Sequence, residues 1–330
     1  MKIFITGATG YIGNNLAKRL AAEGHIVHAL NRSAHKSDLL DHKNIQLFKG
    51  DITDFESVKN GMQGCEQVYH LAAYARVWAK DPSIYYTLNV KGTQYVLDAA
   101  RELGIRDVVV TSTGGVLGPS GNSPVKEDDP RIGDILNEYE ETKTQSEEMC
   151  KRYCNDYGMR IVVVNPPRIY GAGVESESNA LTRMVRLYME GKWRILPGDG
   201  KRTGSYVHVD DVVDGHILAM QKGRAAQRYI LSGENASYTT FFNTLAKVNG
   251  KKHFLFPLPV WIMVLVGYGM MGITKLTGRP PLLTPKWIRK YLYDWSLDCG
   301  KAQNELGYTY RSLEEGLQQT VDWLRPQLKK

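Results

Sequence analysis

Three residue types in this chain could together manage a proton at a reacting oxygen. Tyr139 and Lys143 stand four positions apart in Tyr139-Glu140-Glu141-Thr142-Lys143, where a helical stretch begins, so phenol and ammonium share one helix face. A free phenol has a pKa of about 10, and a nearby ammonium favours its ionised form, which brings proton exchange toward neutral pH. Hydroxyls able to hold the same oxygen occur in Thr111-Ser112-Thr113, at the end of the apolar run Val108-Val109-Val110 and just ahead of Gly114-Gly115. Thr113 is read as the group that hydrogen-bonds the oxygen, with Ser112 assisting. A second Tyr-to-Lys pair, Tyr188 and Lys192, has no accompanying hydroxyl strand and is set aside.

Such a pair needs a reactant beside it, and the N-terminus offers a place for one. Thr6-Gly7-Ala8-Thr9-Gly10-Tyr11-Ile12-Gly13 follows the apolar run Ile3-Phe4-Ile5 and opens into helical patterning from Asn14 to Glu23. A strand that turns through glycines straight into a helix gathers backbone N–H groups and the positive end of the helix dipole at one point, which suits a pyrophosphate. Gly7 permits the turn, Gly10 the close approach of the diphosphate and Gly13 the packing of helix on strand, with Thr9, Tyr11 and Ile12 completing the cradle. The spacing is one residue longer than the usual dinucleotide fingerprint. Lys143 would then also reach the nicotinamide ribose.

The second strand ends in Leu30-Asn31-Arg32, with no acid to hold the ribose hydroxyls of NAD. An arginine fork there matches a 2′-phosphate, so NADP(H) is the preferred cofactor and NAD(H) the second choice, with His35 and Lys36 as helpers. In Gly50-Asp51-Ile52-Thr53-Asp54, Asp51 could accept from the adenine amino group with Ile52 beside it, while Thr53 or Asp54 caps the next helix. Leu71, Ala72 and Ala73 leave room for the cofactor, and His70 is read as a core residue. Arg76 and Trp78, in Tyr74-Ala75-Arg76-Val77-Trp78, could hold an anionic group and a ring of the substrate or simply anchor a loop.

Short apolar runs at 2–6, 26–30, 45–49, 67–71, 107–112 and 160–165 alternate with helical patterns, which predicts an α/β fold with a doubly wound parallel sheet of the Rossmann type. Composition is ordinary for a soluble globular chain, with 42% hydrophobic and 23% charged residues. The net charge of +7 comes without a long Lys/Arg block, which speaks against nucleic acid and suits a phosphorylated small molecule. Four cysteines without histidines at ligand spacing support neither a metal site nor a disulfide framework. A reduced, cytoplasmic setting is expected, since Met1 leads directly into the first strand.

Taken as a set, Thr6 to Gly13, Asp51, His70 to Ala73, Asn89-Val90-Lys91-Gly92-Thr93, Thr111 to Gly118, Tyr139 to Lys143, Pro166 to Gly171 and His208-Val209-Asp210-Asp211-Val212 resemble the extended short-chain dehydrogenase/reductase superfamily, in its NAD-dependent epimerase/dehydratase group. Ala73 to Trp78, Leu276 to Pro281, Lys301-Ala302 and Glu305 to Tyr308 are similar to the branch holding dihydroflavonol reductase-like proteins, 3β-hydroxysteroid dehydrogenases and hopanoid-associated sugar epimerases. The resemblance places the family's Ser/Thr-Tyr-Lys triad on Thr113, Tyr139 and Lys143, with Thr where Ser is commoner. It also implies that the backbone from Pro166 to Arg168 passes the nicotinamide and that His208 to Asp211 packs between domains. Relatives dimerise through helices like those beginning near Pro82 and Tyr139, so a homodimer is a further expectation.

The implied layout is a nucleotide-binding domain over 1–172 and a smaller, mainly substrate-binding lobe over 173–330, with 206–232 returning to the first domain. The expected activity is an NADP(H)-dependent reductase or dehydrogenase acting on a small, partly hydrophobic carbonyl compound. The alternative is a nucleotide-sugar epimerase or dehydratase with tightly held cofactor. A binding protein that has lost the reaction is opposed by the intact triad.

In the second half, Ser176 to Glu190 reads as a helix, Arg194 to Asp199 as a strand and turn, and Asp210 as a helix cap. Ser312-Leu313-Glu314-Glu315 is a capping box. Residues 254–273 carry no charge, but Pro257, Pro259, Gly267, Gly269 and Gly272 predict an interrupted helix, packed as a pocket lid or against the core, with shallow membrane contact as the lesser alternative.

Overall fold

Alternation of side chains builds the central layer of the computed structural model, which describes residues 1–32, 38–174 and 179–328. Strands β1 (Lys2–Thr6), β2 (Ile26–Asn31), β3 (Ile45–Lys49), β4 (Gln67–His70), β5 (Asp107–Thr111) and β6 (Arg160–Asn165) lie where the apolar runs predict them. β7 (Arg168–Tyr170), β8 (Ile195–Pro197) and β9 (Thr203–His208) leave the sheet, β10 (Arg228–Ile230) rejoins it, and β11 (Glu234–Ser237) and β12 (Phe256–Leu258) follow. The main sheet runs β10-β6-β5-β4-β1-β2-β3 with every pairing parallel. Along β1, Ile3 and Ile5 enter one hydrophobic core and Phe4 the other; Val109 and its neighbours Val108 and Val110 divide in the same way on β5. Chain order reverses between β1 and β4, which opens a crevice at their carboxyl ends.

The helices are α1 (Tyr11–Ala22), α2 (Phe55–Met62), α3 (Ser83–Tyr86), α4 (Gly92–Glu102), α5 (Glu138–Tyr157), α6 (Ala180–Met189), α7 (Val209–Lys222), α8 (Tyr238–Asn249), α9 (Val260–Thr277), α10 (Pro285–Ile288), α11 (Gly300–Leu306) and α12 (Leu313–Leu324). A π-helical turn at Thr87–Lys91 joins α3 to α4. A third core, formed by Phe241, Leu245, Leu317, Val321 and their neighbours, fills the second lobe. Ser312 and Glu315 close the predicted capping box on α12.

Two local expectations change, and a third is met over its described part. The cap of α7 is His208, whose Nδ1 accepts from the Asp210 N–H, because Asp210 is already inside the helix. The described part of the predicted 176–190 helix starts at Ala180; Ser176, like His35 and Lys36, lies outside the described residues. The interrupted helix of 254–273 is overturned: α9 is continuous for 18 residues, only Met263, Gly267 and Thr274 are buried, and its other face is not packed against the core. Pro257 lies in β12 and Pro259 is the N-cap, so neither breaks the helix. Gly267 admits α10, since a Cβ there would meet Ile288 Cδ1 at 2.8 Å.

An ion pair joins α7 to the segment ahead of α12. Arg311, ahead of α12, donates through Nε and its backbone N–H to the buried Asp211 carboxylate on α7, at 3.0 and 3.1 Å. Burial is the main influence on Asp211 and raises its pKa. Arg311→Met leaves this carboxylate buried and unpaired, an expected loss of about 2–3 kcal/mol at neutral pH, trimmed because Arg311 is partly exposed. A folded pKa above the unfolded one favours the protonated carboxyl, so the deficit against the parent chain shrinks as pH falls toward that raised pKa. Thermal unfolding of both proteins at neutral and mildly acidic pH checks this; a deficit that does not shrink contradicts it.

Candidate active site

The glycine turn sits at the crevice. β1 ends at Thr6, Gly7 takes φ +74°, and α1 starts behind Gly10, which no side chain caps. A Cβ on Gly7 would lie 2.7 Å from Ala72 N, and one on Gly13 only 2.2 Å from Gly7 O, so the ends of β1 and β4 and the first turn of α1 touch through backbone alone. Over Gly10 the space is open apart from Gly7 O at 3.1 Å. That uncapped helix start beside an open glycine fits a diphosphate. Thr9 and Ile12 flank it, while Tyr11 turns its ring away and donates from its hydroxyl to Gly171 O at 3.0 Å, leaving only its backbone at the turn. Ala72 N donates to Thr6 Oγ1 at 3.2 Å, and Leu71 and Ala73 continue the wall. His70 is bonded at 2.7 Å to Thr6 and at 3.0 Å to Thr93, and burial takes its pKa down to about 3, so it is a neutral structural bridge.

Tyr139 and Lys143 enter from α5, whose first turn is fixed by Asn137 accepting from the Glu140 N–H at 3.0 Å. Lys143 is 2% exposed and donates to Thr111 O, the last residue of β5, at 2.6 Å. Burial brings its pKa down to about 8. Thr113 caps the 3-10 turn Gly114–Leu117 by accepting from Gly115 N at 3.2 Å, while Asn165 Nδ2 holds its carbonyl at 3.2 Å. The Tyr139 phenol is pushed up to about 12: burial raises it most, hydrogen bonding by Thr113 lowers it, and the Glu140 charge raises it. Thr113, Tyr139 and Lys143 are therefore brought together at the carboxyl end of β5. The phenol is not acidified in the protein alone: burial is the largest influence on it, and the Lys143 ammonium donates to Thr111 O. Ser112 Oγ is buried there without a partner.

Around this group lie residues that local spacing did not single out. Glu140 is fully buried, paired with Lys290 and, at 3.0 Å, with Arg131, which also donates to Gly115 O and Val116 O. Asn89, in the π-helical turn, accepts from Tyr74 N at 2.7 Å and donates to Thr142 at 3.0 Å, fastening the 74–78 loop to α5. Trp287 of α10 stacks with Tyr139 at 6.4 Å, and Lys290 lies over Trp287 and Trp295. Arg168 places its guanidinium over Tyr206 and Tyr238 at 5.5 and 5.2 Å; its buried Nη1 has no hydrogen-bond partner, and no carboxylate among the described residues pairs with it. Pro166 O accepts from Gly114 N at 2.9 Å, which joins this strand to the Thr113 turn.

The remaining predicted residues sit at the crevice margin. Arg32 is 68% exposed and 3.6 Å from Asp51 Oδ2; Asp51 also accepts from Thr53 N and Oγ1 at 2.9 Å, and Ile52 is buried. Arg76 is exposed and lies over the Tyr74 ring at 5.7 Å, and the Trp78 carbonyl accepts from the Tyr74 hydroxyl. The competing Tyr188 is buried in the third core and Lys192 is exposed and paired with Glu190, so they form no site.

Residues 3–232 match the model of the NAD dependent epimerase/dehydratase family. A 4-hydroxy-2-methyl-3-oxo-4-farnesyl-3,4-dihydroquinoline-1-oxide ketoreductase of Stigmatella aurantiaca is 30% identical over 98% of this chain and 96% of its own. The decarboxylating sterol-4-alpha-carboxylate 3-dehydrogenase of Saccharomyces cerevisiae is 27% identical over 98% and 97%. Among solved structures, a UDP-glucuronic acid 4-epimerase from Bacillus cereus in complex with NAD superposes with a TM-score of 0.79 at 26% identity, over all of both chains.

Tyr139→Phe removes the exchangeable proton and leaves the glycine turn intact. Turnover is expected to fall about 10²- to 10⁴-fold with dinucleotide affinity nearly unchanged. Gly13→Ala should do the opposite first, abolishing dinucleotide binding through the 2.2 Å clash. Titration calorimetry beside an activity assay separates the two; retained turnover in Tyr139→Phe removes that residue from the mechanism.

Proposed function

Because the chain belongs to the NAD dependent epimerase/dehydratase family, within the extended short-chain dehydrogenases/reductases, and is an NAD(P)-dependent enzyme of that type, we propose that it is an NADP(H)-dependent reductase or dehydrogenase interconverting a carbonyl and an alcohol on a small, partly hydrophobic substrate. The observation that carries this reading is the convergence of Thr113, Tyr139 and Lys143 beside the Gly7–Gly13 turn.

When bound, the nicotinamide supplies or takes up the hydride. Tyr139 gives its phenolic proton to the carbonyl oxygen on reduction and regains it on oxidation. A phenol pushed up to about 12 is protonated at neutral pH, the state in which Tyr139 can give its proton to the carbonyl oxygen. Thr113 orients the oxygen. Lys143, with one of its three N–H groups on Thr111 O, keeps two for the ribose and the phenolate.

The NADP preference rests on Arg32, which follows Asn31 at the end of β2, where the sequence Leu30-Asn31-Arg32 carries no acid. Its contact with Asp51 is exposed and weak enough to yield to a phosphate. For the substrate, Arg168 supplies an uncompensated buried charge among tyrosine rings, close to Lys290 and Trp287. An apolar molecule carrying an acidic group satisfies both features, in keeping with the carboxylate in the name of the yeast relative.

A second reading, an epimerase that keeps its cofactor and returns the hydride to the same substrate, is favoured by the likeness to the UDP-glucuronic acid 4-epimerase. Reductase action predicts that dialysed protein needs added NADPH and consumes it; cofactor that survives dialysis and a constant reduced-nicotinamide absorbance during turnover support the epimerase. Arg32→Ser is expected to weaken NADP binding about tenfold and leave NAD unchanged, a ratio read from dissociation constants. Arg168→Gln should raise KM for acid-bearing ketones about tenfold or more and spare neutral ones.

A further inference from the structure

The outward face of α9 has an unusual composition for a helix left in water. Trp261, Leu265, Tyr268 and Leu276 recur at helical spacing along it and are 65%, 60%, 55% and 89% exposed. Ile273 widens the stripe, and Phe256 on β12 extends it beyond the helix start. Lys275 is the only charged residue in α9. A contiguous apolar surface of this size marks a contact site.

Charge identifies what it contacts. Between Lys251 and Tyr293 the chain has seven Lys and Arg residues and no Asp or Glu, while the other 35 basic residues balance the 35 acidic ones, so the whole net charge of +7 belongs to this stretch. Lys290 and Lys286 are taken up by Glu140 and Glu138. Lys251, Lys252, Lys275, Arg279 and Arg289 are exposed, and no acidic side chain among the described residues pairs with them. Lys251 and Lys252 precede β12 at one end of the stripe, and Lys275 and Arg279 stand at the other end of α9. A second copy of the same face would bring like charges together, whereas an anionic lipid surface complements them.

We propose that α9 and its basic rim dock the protein on an anionic membrane surface, the helix lying in the interface with its Trp261–Leu276 stripe among the lipids. Spanning is excluded by the fold. α9 is about 27 Å long, enough to cross by length, but both of its ends return to the same body: β12 pairs with β8 before it, and Trp295 and Leu297 join the cores after it. A helix tethered at both ends to one side, apolar on its outer face and flanked by cations, has the features of an interfacial element.

The test uses the purified full chain and vesicles of phosphatidylcholine, alone or with about three parts in ten phosphatidylglycerol. The chain is expected to sediment with the anionic vesicles, less so at high salt, and not with the neutral ones. Trp261→Glu combined with Leu265→Glu should lower the bound fraction about tenfold or more, and Lys275→Gln and Arg279→Gln about fivefold each, with circular dichroism unchanged. Vesicle binding needs no turnover, so its outcome is independent of the reaction assigned above. A chain that stays in solution with both vesicles at low salt overturns the proposal. So does a dimer in velocity sedimentation that the Trp261/Leu265 variant splits without any vesicle binding.

Discussion

The hydrogen bond from the buried Lys143 ammonium to Thr111 O is the contact on which the catalytic arrangement depends. It joins the second turn of α5 to the last residue of β5 and so fixes the distance between the two elements that carry Tyr139 and Thr113. Taking an ammonium out of water is costly, and the lowering of its pKa to about 8 records that cost. The position is tolerable because the carbonyl at the strand end accepts one of its N–H groups. The neighbouring pieces reinforce the placement. Asn137 sets the start of α5, Asn165 holds the Thr113 carbonyl, and Arg131 clamps the Gly115–Val116 carbonyls to Glu140.

Electrostatics around that anchor are deliberately uneven. Glu140 is matched by two cations, and Arg168, which no carboxylate among the described residues pairs with, lies over tyrosine rings. A buried pair such as Glu140 with Lys290 adds little to stability by itself, since desolvation consumes much of the attraction. Its effect is positional: it draws Lys290, and with it Trp287, over the start of α5, where the indole stacks on Tyr139. The ion pair and the aromatic wall are one construction.

Much of this was legible in the chain, for reasons that differ by element. β1 to β6 announce themselves because strands buried on both faces are short apolar runs, and the glycine turn because only glycines tolerate backbone packed against backbone at Gly7 and Gly13. Tyr139 and Lys143 are visible as a helical pair for geometric reasons alone. Arg168, Trp287 and Lys290 are not, since they converge from segments more than a hundred residues apart and have no spacing to read. The phenol's acidity does not follow from proximity: sequence separation places an ammonium near a phenol but says nothing of how deeply both are buried or where the ammonium donates. The prolines of 254–273 look like breaks in the sequence because their position relative to the helix start depends on where β12 ends.

The raised phenol and the glycine turn divide the chemistry between protein and cofactor. Burial and the Glu140 charge keep the proton on Tyr139 at rest, while the hydrogen bond with Thr113 works the other way. Glu140 works against ionisation, yet it cannot be dispensed with, because it holds Arg131 and so the turn that presents Thr113. A site that needed a phenolate at rest would have placed that carboxylate elsewhere. A site whose resting state is a protonated phenol, opposite a carbonyl oxygen that gains charge only as hydride arrives, can accept the carboxylate as a structural part without loss. The same geometry therefore explains both the positioning of the triad and why the phenol, before any cofactor binds, rests in its protonated form.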